Sequence, residues 1–296
     1  MSNIAVAPWE DTMIEADSDL AIEHLTPHIG TRIDADAETL LSGRHAKQIR
    51  SLLEARGVLV FPEVGLDDDQ QVAFTATLGQ LAYENNGAPG PVGKLQAIFK
   101  VSLDLNVTAM AKPLKNSLLW HLDGTTHDVP ILASVLTARQ LASEGGDTEW
   151  CSTYAAYEAL PEVDKQAIDA LRVVHSNLQL QRNINPELSY EAFQRARNSP
   201  SKSQPLVWKH RNGRKSLVVG ATAGYVEGLA HDDSLDLLVR LRDWATQPQF
   251  VFRHKWKLGD LVIWDNTGTL HRALTYAPDS GRLMHRSMLA GEEPVG

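Results

Sequence analysis

The chain has 296 residues, 43% of them hydrophobic and 22% charged, and a net charge of −9, which excludes a general nucleic-acid or anionic-membrane binder. One cysteine, Cys151, excludes an intrachain disulfide and a cysteine-rich zinc site. No run approaches the roughly 18 apolar residues of a membrane span and the opening segment lacks the basic and apolar regions of a secretory signal, so a cytoplasmic protein is expected.

Residues 1–22 are acidic and aperiodic and are expected to sit loosely. HAKQIRSLLEARG (45–57) has helical spacing, with Ile49, Leu52 and Leu53 on one face and Gly57 as its stop. VLVFP (58–62) reads as a buried strand ended by proline. LDDDQQVAFTATLG (66–79) predicts a second helix, capped by Asp67 and terminated by Gly79. ENNGAPGPVG (84–93) has loop composition, and LQAIFKVSLD and SLLWHLD read as strands. STYAAYEALPEVDKQAIDALRVVHS predicts one or two helices, with Ser152 as cap and Pro161 at a break.

Residues 181–215 are polar and basic with no lasting apolar period, so they read as an insertion or lid. KSLVVG then predicts a strand and DDSLDLLVRLRDWATQ an amphipathic helix. FVFRHKWKLGDLVIWDNTGTLHRAL reads as strand, Gly-Asp turn, strand, loop, strand, and RLMHRSMLAG closes the sheet. With no internal repeat and strands spread along the whole chain, one β-rich domain spanning 1–296 with helices outside is expected.

In LLWHLDGTTH (118–127) an apolar run ends in His121 and Asp123. Residues i and i+2 of a strand share a face, so the two are either a metal pincer or a buried histidine beside a turn aspartate. The same pattern recurs at His231 and Asp233, where the aspartates suit a helix N-terminus and no apolar strand precedes them. Two histidines and a carboxylate on one face of an octahedron form the open site of non-haem Fe(II) oxygenases. A distant second histidine is therefore the discriminating residue, and His271, between LVIWDNTGT and a further strand, is the candidate. Arg282 and Arg286, four apart on a predicted strand, share a face with Met284 between them. Their guanidinium groups suit carboxylate or sulfonate recognition.

The segments WHLDGT, EGGDTEWCSTYAAYEAL, GDLVIWDNTGTLHRAL and GRLMHRSMLAG resemble, in order and spacing, the TauD/TfdA family of Fe(II)- and 2-oxoglutarate-dependent dioxygenases over residues 24–293. The resemblance implies a mainly β fold with flanking helices and a double-stranded β-helix (jelly-roll) core. It also implies His121, Asp123 and His271 as iron ligands and Thr148 as a contact of the 2-oxoglutarate carboxylate near the metal. By the same resemblance Arg282 partners the far carboxylate, and Arg286 grips an acidic substrate or supports the co-substrate. Taurine enzymes carry a histidine after LG-x-L, whereas LGQLAYENNG has none. The departure points to the phenoxypropionate branch, with Tyr83, Asn85 and Tyr225 as pocket candidates.

The expected activity is therefore hydroxylation of a C–H in a small organic acid with an apolar body, using Fe(II), 2-oxoglutarate and O2, with succinate and CO2 released. Two other readings stay open: a hydroxylase of a larger neutral or natural-product substrate, and a non-catalytic metal-binding jelly-roll protein. Relatives of this kind are often oligomers, so a homo-oligomer is an open expectation.

Overall fold

VLVF and LVIW contain no polar residue, which is the pattern of strands covered on both faces. The computed structural model describes residues 20–83, 97–108 and 113–296. In chain order the first elements are β1 (Ala21–His24), β2 (Thr31–Asp34), α1 (Ala37–Leu41), α2 (Ala46–Arg56), β3 (Val58–Phe61), α3 (Asp68–Leu78), β4 (Leu81–Ala82) and β5 (Phe99–Val101). A 3-10 segment, Pro113–Leu118, leads to β6 (Ala133–Gln140), β7 (Thr148–Ser152), α4 (Thr153–Glu158), α5 (Glu162–Ile168) and β8 (Arg172–Ser176). Then come α6 (Asn177–Ile184), α7 (Tyr190–Arg197), β9 (Ser201–Pro205), β10 (Val207–Lys209), β11 (Lys215–Leu217), β12 (Ala223–Val226) and α8 (His231–Ala245). The chain ends in β13 (Val251–His254), β14 (Leu261–Asp265), β15 (Thr269–Ala273) and β16 (Leu283–Leu289).

The large sheet has the order β1-β2-β3-β14-β6-β16-β4, with β5 also on β16. VLVF and LVIW are its adjacent strands β3 and β14, antiparallel with Leu261 opposite Phe61. Their side chains divide by parity. Leu59, Phe61, Leu261 and Ile263 face α2 and α3 together with Leu53 and Phe74. Val58, Val60, Val262 and Trp264 face the opposite way, into a layer that also takes Trp150 and Phe252. Trp150 and Phe252 belong to the three-stranded sheet β13-β7-β15. The two sheets therefore pack face to face across an aromatic layer in which Trp150 lies 5.8 Å from Trp264. The outer face of the small sheet, with Cys151 and Leu270, packs on α4 and α8. The protein is thus mainly β, with helices on the outside.

Local chemistry explains the helices read from the sequence. Asp67 and Gln70 form a reciprocal capping box at the start of α3. Gly57 ends α2 at φ +69°, a conformation that a Cβ disfavours.

Five expectations are corrected. SLLWHLD is not a strand: its start lies in the 3-10 segment, and only His121 makes a β-bridge. Leu118, Leu119 and Trp120 are half-buried because they line a cavity rather than a sheet layer. Of LQAIFKVSLD, only Phe99–Val101 is strand among the described residues. RVVHS is strand β8, held by antiparallel pairing to β9 and β12, not a helix end. Residues 181–215 are not one lid, because β9, β10 and β11 are sheet strands and Leu206, Val207 and Trp208 are core. The loose segment stops before 22, since Leu20 is buried and β1 begins at Ala21; residues 1–19 lie outside the described residues. No helix among the described residues is long and apolar enough to cross a membrane.

Phe74 is fully buried and meets Phe61 edge-on at 5.9 Å. Phe74→Ala is expected to cost about 3–5 kcal/mol, read as a lower urea midpoint with an unchanged slope. A loss below about 1 kcal/mol would mean that the α3 face is not part of the cooperative core.

Candidate functional site

Strand β15 sends Leu270 and Arg272 outward and His271 inward, in register with Trp150 of β7. Its other edge receives a single residue. The His121 N–H donates to the His271 carbonyl at 3.1 Å, and the His271 N–H to the His121 carbonyl at 2.9 Å. A reciprocal pair of this kind places both side chains on the same face, and the two imidazole centroids stand 4.1 Å apart. Asp123 does not arrive by strand alternation but in a turn, with Gly124 at φ +82° and the His127 N–H donating to the Gly124 carbonyl at 2.9 Å. Buried Gln204 of β9 holds this turn by donating to the carbonyls of Thr125 (3.1 Å) and His127 (2.9 Å).

Asp123 then bridges the two rings. One carboxylate oxygen lies 3.7 Å from His121 Nε2 and the other 3.8 Å from His271 Nε2. One donor atom from each of the three residues falls within 4.8 Å of the others, the single such group among the described residues. His121 Nδ1 must donate to the Leu119 carbonyl, 2.8 Å away, because a carbonyl only accepts. Its Nε2 is the ring nitrogen turned towards Asp123. Burial, then the neighbouring His121, pushes the His271 imidazole well below its ordinary value, so it is neutral at neutral pH. Burial would raise the Asp123 carboxyl, but Arg286 and then the two imidazoles outweigh it and hold it below its ordinary value. Two imidazole nitrogens and a carboxylate oxygen facing one point are a donor set that fits a cation.

On the inner face of β16, Arg286 Nη1 donates to an Asp123 oxygen at 3.2 Å and lies over Phe99. Arg282 is buried, donates to the Gly146 carbonyl at 3.0 Å and stacks on Tyr276 at 4.7 Å. Gly146 sits at φ +78°, and a Cβ there would lie 2.8 Å from Arg282 Nε. Thr148 is buried two residues further on, its hydroxyl accepting from Trp256 Nε1 at 2.9 Å. His121, Asp123, His271 and Arg286 are thus brought together directly, with Arg282 and Thr148 joined through the Gly146–Thr148 segment.

The pocket candidates are placed otherwise. Tyr83 is half-exposed beside β4, and Tyr225 is half-exposed on β12 in another sheet. Neither lines the cavity of about 380 Å3 beside His121 and Asp123, whose walls include Asn116, Thr126, Asn177, Leu180 and Thr222. Asn85 lies outside the described residues. His231 is exposed at the start of α8, where Asp232 and Asp233 sit in the first turn. Another cavity, of about 780 Å3, lies behind β15 against α8 and includes none of the three donor residues.

Sequence reading missed Gln204, Gly146, Tyr276 and Trp256. Only Trp256 had a signal, since Phe252, His254 and Trp256 keep a period of two. Trp120 packs against the cluster that holds Cys151 and Leu270 and also lies under the Arg272 guanidinium at 4.6 Å, and Arg272 is paired with Glu149. Asp265 organises the turn before His271 by accepting from the Thr267 N–H at 2.7 Å.

Residues 21–288 match the family model described as "Taurine catabolism dioxygenase TauD, TfdA family". The chain is 36% identical over 280 residues to an alpha-ketoglutarate-dependent 2,4-dichlorophenoxyacetate dioxygenase of Burkholderia sp. (strain RASC), covering 91% of this chain and 94% of that one. It is 32% identical over 241 residues to an (S)-phenoxypropionate/alpha-ketoglutarate-dioxygenase of Sphingobium herbicidovorans, covering 79% and 82%. Its fold superposes on the crystal structure of AAD-2 in complex with Mn(II) and N-oxalylglycine with a TM-score of 0.77, at 31% identity, covering 94% and 99%.

Cys151, on β7 next to Trp150, is fully buried, and burial pushes its thiol up to about 12. At pH 8 the thiol is therefore protonated and shielded. A thiol-reactive disulfide reagent is expected to leave the native protein unmodified and to label one equivalent in urea. Rapid labelling of the native protein would contradict this burial.

Proposed function

The chain belongs to the TauD/TfdA family, and from that membership we propose that it is an α-ketoglutarate-dependent, that is 2-oxoglutarate-dependent, non-haem iron dioxygenase acting on an aryloxyalkanoate-like organic acid. The observation that carries the reading is the convergence of His121, Asp123 and His271 on one point, with two inward arginines four residues apart on the adjoining face. We infer also that the facing sheets are the double-stranded β-helix of the family, supported by the shared apolar layer between β14 and β7.

His121, Asp123 and His271 would hold Fe(II) through two imidazole nitrogens and a carboxylate oxygen, the donor set of non-haem Fe(II) oxygenases. Iron, when bound, supplies the activation of dioxygen, oxidative chemistry that none of these side chains can perform. The chain's own work is binding and placement. Arg282 holds a permanent positive charge in a buried site, where its planar fork suits the far carboxylate of 2-oxoglutarate. Thr148, joined to Arg282 through the Gly146–Thr148 segment, hydrogen-bonds a carboxylate of the same keto acid. Arg286, at the edge of the metal site, pairs with the carboxylate of the substrate and so fixes which C–H faces the iron. The aromatic layer of Trp150 and Trp264 keeps water from the inner side.

Overall, substrate C–H, O2 and 2-oxoglutarate give C–OH, succinate and CO2. Where the hydroxylated carbon carries an ether oxygen, the product separates into a phenol and a carbonyl acid. The two aryloxyalkanoate dioxygenases at 36% and 32% identity, and the missing histidine after LGQL, support this substrate class over taurine.

Two measurements test the proposal. Anaerobic addition of Fe(II) and 2-oxoglutarate is expected to give a weak metal-to-ligand charge-transfer band, absent in His121→Ala. In Arg282→Ala the band is expected to need at least about tenfold more 2-oxoglutarate, since a charged hydrogen-bonding partner is lost. In a screen following succinate, aryloxyalkanoates are expected to stimulate turnover. Stimulation by neutral apolar compounds and not by acids would overturn the substrate class.

A further inference from the structure

Thr148 faces the inner layer, two residues from Trp150 and opposite His254 of β13. Its Oγ1 has one hydrogen-bond partner among the described residues, the Nε1–H of Trp256 at 2.9 Å. An indole N–H only donates, and a hydroxyl has one proton and two lone pairs. The Trp256 contact therefore occupies a lone pair of Oγ1 and leaves its only proton for another acceptor. The indole itself is held firmly. Trp256 is 7% exposed, and the His254 ring packs edge-on against it at 4.9 Å and 82°. His254 Nε2 in turn meets Asp260 Oδ2 at 2.9 Å, and Asp260 also accepts from the backbone N–H groups of Lys257 (2.7 Å) and Glu63 (2.9 Å). Asp260 is thus fixed by two chain segments, and it orients His254 against the indole.

We infer that Trp256 is a positioning residue that makes Thr148, which shares the Gly146–Thr148 segment with Arg282, a dedicated hydrogen-bond donor to a carboxylate of the keto acid. The inference rests on the proposed 2-oxoglutarate reading of the site and adds to it the group that orients the threonine. Without the indole N–H, the Thr148 hydroxyl rotates among several donors and acceptors, and part of its bond to the carboxylate is lost. The arrangement selects an ionised carboxylate, which only accepts, over an amide or a protonated acid, which would also present a donor to Oγ1.

The test is a double-mutant cycle read by calorimetry, titrating 2-oxoglutarate into Mn(II)-loaded protein without turnover. Trp256→Phe keeps an aromatic ring and removes the donor. It is expected to weaken 2-oxoglutarate binding about threefold to tenfold, as for loss of one buried hydrogen bond, with Mn(II) affinity and melting temperature unchanged. Thr148→Val is expected to weaken binding by at least as much. Adding Trp256→Phe to Thr148→Val is expected to change it by less than about twofold, because interacting residues are not additive. If Trp256→Phe does not fold, benzothienylalanine at 256, with sulfur in place of the N–H, gives the same comparison. Wild-type affinity in Trp256→Phe, or an equal loss in both backgrounds, overturns this inference alone. Absence of 2-oxoglutarate binding in the wild type overturns the proposed function and this inference with it.

Discussion

Everything at the site depends on two backbone hydrogen bonds. The mutual pair between His121 and His271 joins residues 150 positions apart and sets both imidazoles on one face. That face looks into the layer between the two sheets, where Trp264 packs 4.8 Å from the His271 ring. Parity then does the sorting. Inward residues of β7, β13 and β15 (Thr148, Trp150, Phe252, His271) meet the inward residues of β14 and β16, while Cys151, Leu270 and Arg272 turn to the helical side. A slip of one residue in β15 would exchange His271 for Leu270 or Arg272 and remove the site.

The charge distribution follows the same geometry. The chain as a whole carries −9, yet the inner face concentrates cations. Asp123 is shared between two imidazoles and Arg286. Arg282 has no salt bridge among the described residues: it donates to the Gly146 carbonyl and lies over Tyr276, and Asp147, whose charge acts on it, is itself paired with Arg253. Taking a charge out of water is costly, several kcal/mol in real proteins. An arriving dicarboxylate relieves that cost, so affinity for an anion is built into the fold before any ligand binds.

The sequence was readable where one residue's chemistry decides the local structure. Asp67 and Gly57 announced helix ends, VLVF and LVIW announced strands buried on both sides, and His271 with Arg282 and Arg286 stood in a recognisable spacing. It was unreadable where tertiary context decides. SKSQP of β9 has no apolar alternation, and pairing with β8 makes it a strand. SLLW has strand composition, but its apolar side chains line a cavity behind β15, so the chain enters the site through a 3-10 turn. Asp123 was expected beside His121 by alternation, whereas a glycine turn brings it there. Gln204, which braces that turn, carries no signal in its own neighbourhood.

The His121–His271 bridge has a consequence for how the metal and the fold support one another. His271 sits within a five-residue strand, but His121 is joined to that strand by one residue pair. Trp120 adds the Arg272 stack, and its carbonyl accepts from the Ala221 N–H. The segment is in effect a fourth strand reduced to a single rung, and a cation shared by His121, Asp123 and His271 would act as a cross-link across it. Loss of that cross-link would fall on the 113–130 segment and leave the rest of the sandwich in place. The ligand-bearing loop can therefore change in length or sequence while the register of every strand stays fixed, which separates what holds the iron's partner residues from what holds the fold.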